Sequence, residues 1–435
     1  MKGDTKHTLI PKLRFPEFRD SWIQKPLAQI ATLIDDRVGT TQCTPYTVTT
    51  GVGLVSQENK FGRTIAGDSL KNYLRLKKND FAYNKSATKA FPQGYIARYL
   101  GKDQAAVPNS IFTCFRPDEL QIDPAYLDYV FAGNLHGRWL KKYITIGARA
   151  HGSLSVNDDD LMRLPVPVPS GSSSSAEQQK IADCLTSLDE LIAAEVRKLE
   201  AMRAHKQGLM QLLFPREGET RSRLRFPEFC SAPAWEMYEL GPMTSRIGSG
   251  ITPLGGDKNY KSSGRPFIRS QNVGWGELIL EDVAYIDEET HKSFVASEIQ
   301  PSDVLLNITG ASIGRSAVAD SRIVGGNVNQ HVCIIRLKQN ELYPVLLNQY
   351  LISDRGQKQI DNFQAGGNRQ GLNFGQIRSF LIPRPPTKGE QQRVAGCLAS
   401  LDTVMLSQAT KVVALRVHKR GLMQQLFPSP QESEA

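Results

Sequence analysis

The sequence has no apolar run near the roughly 18 residues that a membrane span needs, and its first ten residues lack a signal-peptide pattern. A membrane role is therefore not expected, and the expected compartment is the cytoplasm. The six cysteines, Cys43, Cys114, Cys184, Cys230, Cys333 and Cys397, show no CxxC spacing. They read as reduced thiols, not as a disulfide framework or a zinc site. The seven histidines are scattered without metal-ligand spacing. Catalytic signatures are also missing. No GxxxxGK[ST] loop exists for a phosphate-driven motor, and Pro385-Pro386 sits in RPPT, with the wrong neighbours for the [DNS]PP[YFW] loop of an adenine methyltransferase. The glycines at Gly248, Gly250, Gly366 and Gly367 do not form GxGxxG after a strand. A Ser-His-Asp set need not be close in sequence, but none announces itself, and an enzyme is not the expected reading.

What the chain has is a repeat. Glu177 to Pro215 and Glu390 to Pro428 align without a gap at a constant offset, and 21 of 39 positions are identical. Such agreement marks a tandem duplication. Apolar residues recur at alternating three- and four-residue steps: Ile181, Leu185, Leu188, Ile192, Leu199, Met202, Leu209 and Leu213, then Val394, Leu398, Leu401, Met405, Val412, Leu415, Leu422 and Leu426. That spacing predicts two long helices with a coiled-coil seam. The seam is broken at matched places, by Glu195 and Gln408 and by Lys206 and Lys419, where polar residues trade stability for register and partner choice. Pro215 and Pro428 are expected to stop the helices. His205 and His418 lie one step outside the seam, on a surface suited to meet a partner. Gly208 and Gly421, each costing a helix about 1 kcal/mol relative to Ala, suggest close approach or a bend.

The duplication extends beyond the helices. LRFPEF occurs at 13–18 and again at 224–229, each time followed closely by a tryptophan, Trp22 or Trp235. The hexapeptide reads as a packing strip. The expected domains are 1–169, a first body with its strip; 170–215, a serine-rich flexible linker and first helix; 216–386, a second body; 387–428, a second helix; and 429–435, a tail. Candidate strands in the first body are 46–48, 79–83, 95–99 and 111–115, with a helical stretch over 124–140. In the second they are 266–272, 303–307 and 329–336, with a helical stretch over 343–363. Laying one body on the other matches Asp80 with Asp303, Asn84 with Asn307, Asn109 with Asn329 and Arg116 with Arg336. Framework positions agree, whereas polar strand tips mostly differ. Two recognition modules for different targets have this character, and so does drift of loops. The net charge of +9 is concentrated in residues 1–176, which carry +7; a basic excess suits a polyanionic partner.

The paired EQQ…LFP helices, the LRFPEF strips and the second body's GSGITP, PFIRSQNV, DVLLNITGASIG and GNVNQHV resemble the specificity subunit of type I restriction–modification systems. The resemblance covers nearly the whole chain. It implies an α+β protein: two mixed α/β target recognition domains separated by two long helices that form an antiparallel coiled coil, with a pseudo-twofold internal repeat. It further implies a non-catalytic subunit in which each body reads one half of a split sequence in double-stranded DNA. The helices would set the spacing and dock two adenine methyltransferase subunits, and restriction–translocase subunits would join them. S-adenosylmethionine, ATP and Mg would be needed on those partners only. A stand-alone bipartite DNA-binding regulator and a coiled-coil protein-binding scaffold are the alternatives.

Base readout needs paired donors and acceptors, Arg for guanine and Asn or Gln for adenine, while Lys and Arg on phosphates set register. Candidates in the second body are Arg269, Ser270, Asn272, Asn307, Thr309, Arg315, Asn329, Gln330, His331, Asn368, Arg369 and Gln370. Their alternative role is hydrogen bonding within loops, with Asn307 and Asn329 as turn caps. Candidates in the first body are Lys85, Lys89, Arg98, Asn109, Ser110, Arg149 and His151, although that body lacks the PFI[RS]xxN and NxNQHV forms.

Overall fold

A computed structural model describes residues 9–49, 51–144, 154–253, 255–364 and 371–428. It divides into two compact units, Met1–Ala194 with Val412–Ala435, and Glu195–Lys411. Each unit holds one body and a segment of both long helices. The helices span Ser174–Leu213 and Lys388–Leu426, 40 and 39 residues, or about 60 Å each at 1.5 Å per residue. They start slightly ahead of the expected Glu177 and Glu390 and stop just before the two prolines. The linker expected over 171–175 is instead tied down. Ser173 Oγ donates to Asp20 Oδ2 at 2.8 Å and Ser174 Oγ to the Pro169 carbonyl at 2.6 Å, so the helix begins inside the serine run.

Within each unit the helix segments run antiparallel. In the first, Lys419 Nζ reaches Asp189 at 2.6 Å while Ile181 and Leu185 share a core with Leu426. In the second, Gln408 Nε2 donates to Glu195 Oε2 and Lys206 Nζ to Asp402 Oδ1, both at 2.6 Å. The polar interruptions of the seam are therefore paired across it, and none of the seam residues is exposed. A Cβ at Gly208 or Gly421 would meet nothing within 4 Å, so among the described residues no contact within this chain requires these glycines.

The packing strips have a partner that the sequence reading did not identify, the first glutamate of each duplicated helix. Glu177 and Glu390 are almost wholly buried and lie in the first helical turn, where unpaired N–H groups favour an anion. Arg14 grips Glu177 through Nε and Nη2, both at 2.7 Å, and Trp22 Nε1 donates to it at 3.1 Å. Arg225 grips Glu390 at 2.7 and 2.8 Å, with Trp235 Nε1 at 2.9 Å. A buried carboxylate is tolerable only when paired and hydrogen-bonded, and the LRFPEF arginine supplies that pairing twice.

Both bodies repeat one plan. Trp22–Pro26 pairs antiparallel with Pro165–Pro169, as Glu236–Glu239 does with Leu381–Arg384. A four-stranded antiparallel sheet follows, in the order Ala31–Leu33, Phe112–Pro117, Phe81–Asn84 and Tyr95–Arg98, matched by Thr244–Ser249, Val332–Leu337, Val304–Asn307 and Ser316–Val318. A second sheet in each body contains one parallel pair, Thr44–Thr49 with Ala105–Val107 and Arg265–Ile268 with Asn327–Val328. Alternation along a strand sends neighbours to opposite faces. Phe81 and Tyr83 enter the core shared with the helices and Ala82 the core of the second sheet; Val304, Leu306 and Leu305 divide likewise. The framework match is physical: Arg116 grips Asp80 at 2.8 Å through two hydrogen bonds, and Arg336 grips Asp303 at the same distances.

Several strand limits are corrected. The strand expected over 266–272 ends at Ile268, and Ser270–Asn272 is a single 3₁₀ turn. The one expected to begin at Asn329 begins at Val332. Each expected helical stretch is two helices, Pro124–Ala132 with Leu135–Leu140 and Pro344–Leu351 with Asp354–Gln364.

Candidate nucleic-acid interface

In the second unit, Asn307 pairs with Val332 and Ser249 with Cys333, so Thr244–Ser249 and Val304–Asn307 end where Val332–Leu337 begins. The loops 250–253, 308–315 and 329–331 emerge together from that end of the sheet. Gly250, within GSGITP, is required there, because a Cβ would stand 1.7 Å from the Val328 carbonyl oxygen. Thr309, Gln330 and His331 meet on this end. His331 Nδ1 lies 2.5 Å from Thr309 Oγ1, Gln330 Nε2 lies 3.3 Å from His331 Nε2, and the Thr252 amide donates to Gln330 Oε1 at 3.3 Å. Gln330 is exposed, and Thr309, His331 and Arg315 are half-buried. The Arg315 guanidinium has no hydrogen-bond or ion-pair partner among the described residues.

Four other candidates are committed to the fold. Arg269 Nη2 donates to the Asp282 carbonyl at 2.9 Å and lies 3.2 Å from its carboxylate, with the guanidinium 5.4 Å from the Tyr260 ring centre. Asn272 accepts from the Arg269 amide and donates to the carbonyls of Ile279 and Asp282. Asn307, fully buried, donates to the Ser270 carbonyl at 2.8 Å. Asn329 accepts from the His331 amide at 3.0 Å as a turn cap. Ser270 is placed by these contacts and holds Asn307 through its main chain.

In the first unit the corresponding sheet end carries Lys85, which follows Asn84 and sits 3.4 Å from Asp158, the exposed Lys89, and the exposed turn residues Asn109 and Ser110. Arg98 is a correction. Phe81 pairs with Arg98 and Asn84 with Tyr95, so Arg98 stands at the opposite end of the sheet, 3.3 Å from Asp128. Burial pushes the Asp128 carboxyl up and Arg98 opposes that shift. Arg149, His151, Asn368, Arg369 and Gln370 lie outside the described residues. Sequence reasoning omitted Thr252 as a site residue although GSGITP contains it; its contribution is a main-chain donor, which side-chain chemistry does not reveal.

This end can donate and accept hydrogen bonds and offers an unpaired cation. Among the described residues no group of three or more His, Cys, Asp or Glu side chains could hold a metal, and no helix is long and apolar enough to cross a membrane.

The family described as the type I restriction modification DNA specificity domain matches residues 234–413. The MjaX type I restriction enzyme specificity subunit ascribed to Methanocaldococcus jannaschii is 23% identical over 336 residues, 77% of this chain and 74% of that one. The MjaVIII specificity subunit of the same organism is 22% identical over 260 residues, covering 58% and 59%. Among solved structures, the S subunit of a type I restriction–modification system from M. genitalium superposes with a TM-score of 0.57 at 15% identity, over 97% of this chain and 100% of that one. A chain from a study of complex assembly and conformational transition of the type I system gives 0.57 at 15%, over 95% and 99%. At that identity the likeness is one of fold.

Proposed function

We propose, from the premise that this chain belongs to the family of type I restriction–modification specificity subunits, that it is the DNA-sequence-recognition subunit of such a complex. Each recognition domain, 1–169 and 216–386, reads one half of a bipartite target in double-stranded DNA. The helices of 170–215 and 387–428 set the spacing and dock two methyltransferase subunits, and restriction–translocase subunits complete the assembly. The chain itself is non-catalytic; S-adenosylmethionine, ATP and Mg serve the partner subunits, and the complex works in the cytoplasm. The observation that carries this reading is a pair of like-built sheets whose corresponding ends display unlike side chains, Lys85, Asn109 and Ser110 on one and Thr309, Gln330 and His331 on the other. A shared frame with different donors and acceptors suits two different half-sites. Neither the stand-alone regulator nor the scaffold gains support from the likenesses above.

The test is to map methylated adenines across the genome with and without this protein. Loss of one split motif is the expected result, and an unchanged methylation map overturns the reading. Binding to the mapped target should weaken steeply with salt, because phosphate contacts release counterions.

A further inference from the structure

The hydrogen bonds at the end of the second unit's sheet have a direction. A main-chain N–H can only donate, so the Gln330 atom facing the Thr252 amide is the oxygen, and the NH₂ group faces His331. An amide NH₂ also only donates, so His331 Nε2 is the acceptor and a neutral ring carries its proton on Nδ1. Nδ1 then donates to Thr309 Oγ1 at 2.5 Å. One of the threonine oxygen's two lone pairs is thereby used, and its own proton is left for another group. Among the described residues no acceptor takes it. Main-chain bonds hold both ends of this relay: Ile308 N donates to the His331 carbonyl at 3.0 Å, His331 N to Asn329 Oδ1 at 3.0 Å, and Leu372 N to the Ile308 carbonyl at 2.9 Å.

We propose that Thr309 is a hydrogen-bond donor to an acceptor atom of bound DNA, and that His331 is the positioning residue that, by donating to the threonine oxygen, leaves the hydroxyl proton free for it. The proposal rests on the DNA-recognition reading. A hydroxyl is normally ambiguous, able to face donors or acceptors alike. With one lone pair taken by an imidazole N–H and its proton unclaimed, Thr309 suits a major-groove acceptor such as purine N7, guanine O6 or thymine O4. A phosphate oxygen offers the same acceptor chemistry.

The experiment uses the full chain with its co-purified methyltransferase subunits and a duplex carrying the target found by methylation mapping. Thr309→Val is expected to weaken target binding about tenfold, the worth of one well-placed hydrogen bond, while Thr309→Ser restores it. His331→Phe should give a similar loss. The double variant Thr309→Val/His331→Phe should be no weaker than Thr309→Val alone, because the histidine acts through the threonine. Base analogues lacking one major-groove acceptor, 7-deazapurines first, and single methylphosphonates then locate the contact. The substitution that costs the native protein the same factor, but costs Thr309→Val nothing further, identifies a base or a phosphate. Native affinity in Thr309→Val, or additive losses in the double variant, overturns the proposal. If the native complex does not prefer the mapped target at all, the recognition reading itself fails.

Discussion

Arg225 offers the sharpest test of how the strips fasten the helices. Its side chain is 9% exposed and that of Glu390 1%. Besides the two bonds to the carboxylate, it donates to the carbonyls of Ala232 and Pro233, each at 2.8 Å. Arg225→Ala leaves the carboxylate with Trp235 Nε1 as its remaining side-chain donor. Breaking one side of a buried ion pair costs about 3–5 kcal/mol, much of it the penalty of the stranded charge. Arg14, more exposed at 16% and bonded among the described residues to Glu177 alone, should cost less when replaced by Ala. Adding Glu390→Gln to Arg225→Ala removes the stranded charge and should recover part of the loss. Urea denaturation followed by tryptophan fluorescence measures all of these. A loss below about 1 kcal/mol for Arg225→Ala, or a double variant as unstable as the two singles combined, would refute the argument.

Other outcomes follow from single contacts. His136 is buried beneath aromatic rings in the first unit, with Nε2 near the Gly94 carbonyl, and burial pushes it down to about 4. An unfolded histidine titrates near 6.5, so the unfolded state binds the proton first, and about 3 kcal/mol of stability is lost as pH falls from about 6.5 to about 4. His136→Gln should flatten that part of the denaturation profile. Gly208→Ala and Gly421→Ala should each stabilise the isolated chain by about 1 kcal/mol in thermal unfolding; any loss of methyltransferase co-purification would assign the glycines to that contact. Gln408→Glu sets two carboxylates against each other where Glu195 now accepts an amide. The melting temperature should fall at pH 8 and recover in mild acid, whereas Glu195→Gln should lack the acid recovery.

The helices were legible because one three- and four-residue apolar rhythm governs both their formation and their burial. The framework ion pairs were half-legible: matching the bodies paired Asp80 with Asp303 and Arg116 with Arg336, and the structure joins each aspartate to its arginine. The strip latches were not legible, because Arg14 and Glu177 are separated by 163 positions and nothing local marks either as a partner. The sheet ends were only partly legible for a chemical reason. An asparagine that closes a loop uses the same amide that would read adenine, so sequence left both roles open for Asn272, Asn307 and Asn329, and the structure shows each of them bonded to main-chain groups. Arg98 failed by register, since strand residues three apart stand near opposite ends of so short a strand.

The unequal divergence of the two copies has a physical cause. Replacing Arg116, Arg336, Arg14 or Arg225 strands an aspartate or glutamate that is almost wholly buried, so either copy loses several kcal/mol by drifting at these positions. The sheet-end residues Lys89, Asn109 and Ser110 are exposed, and Thr309, Gln330 and His331 bond mainly to one another. Changing them costs the fold little. A duplicated frame of this kind lets the two readers acquire different donors and acceptors while each keeps the latch that joins it to the helices. Exchanging the Thr309–Gln330–His331 group should therefore change the half-site read while leaving the urea midpoint of the chain nearly unmoved.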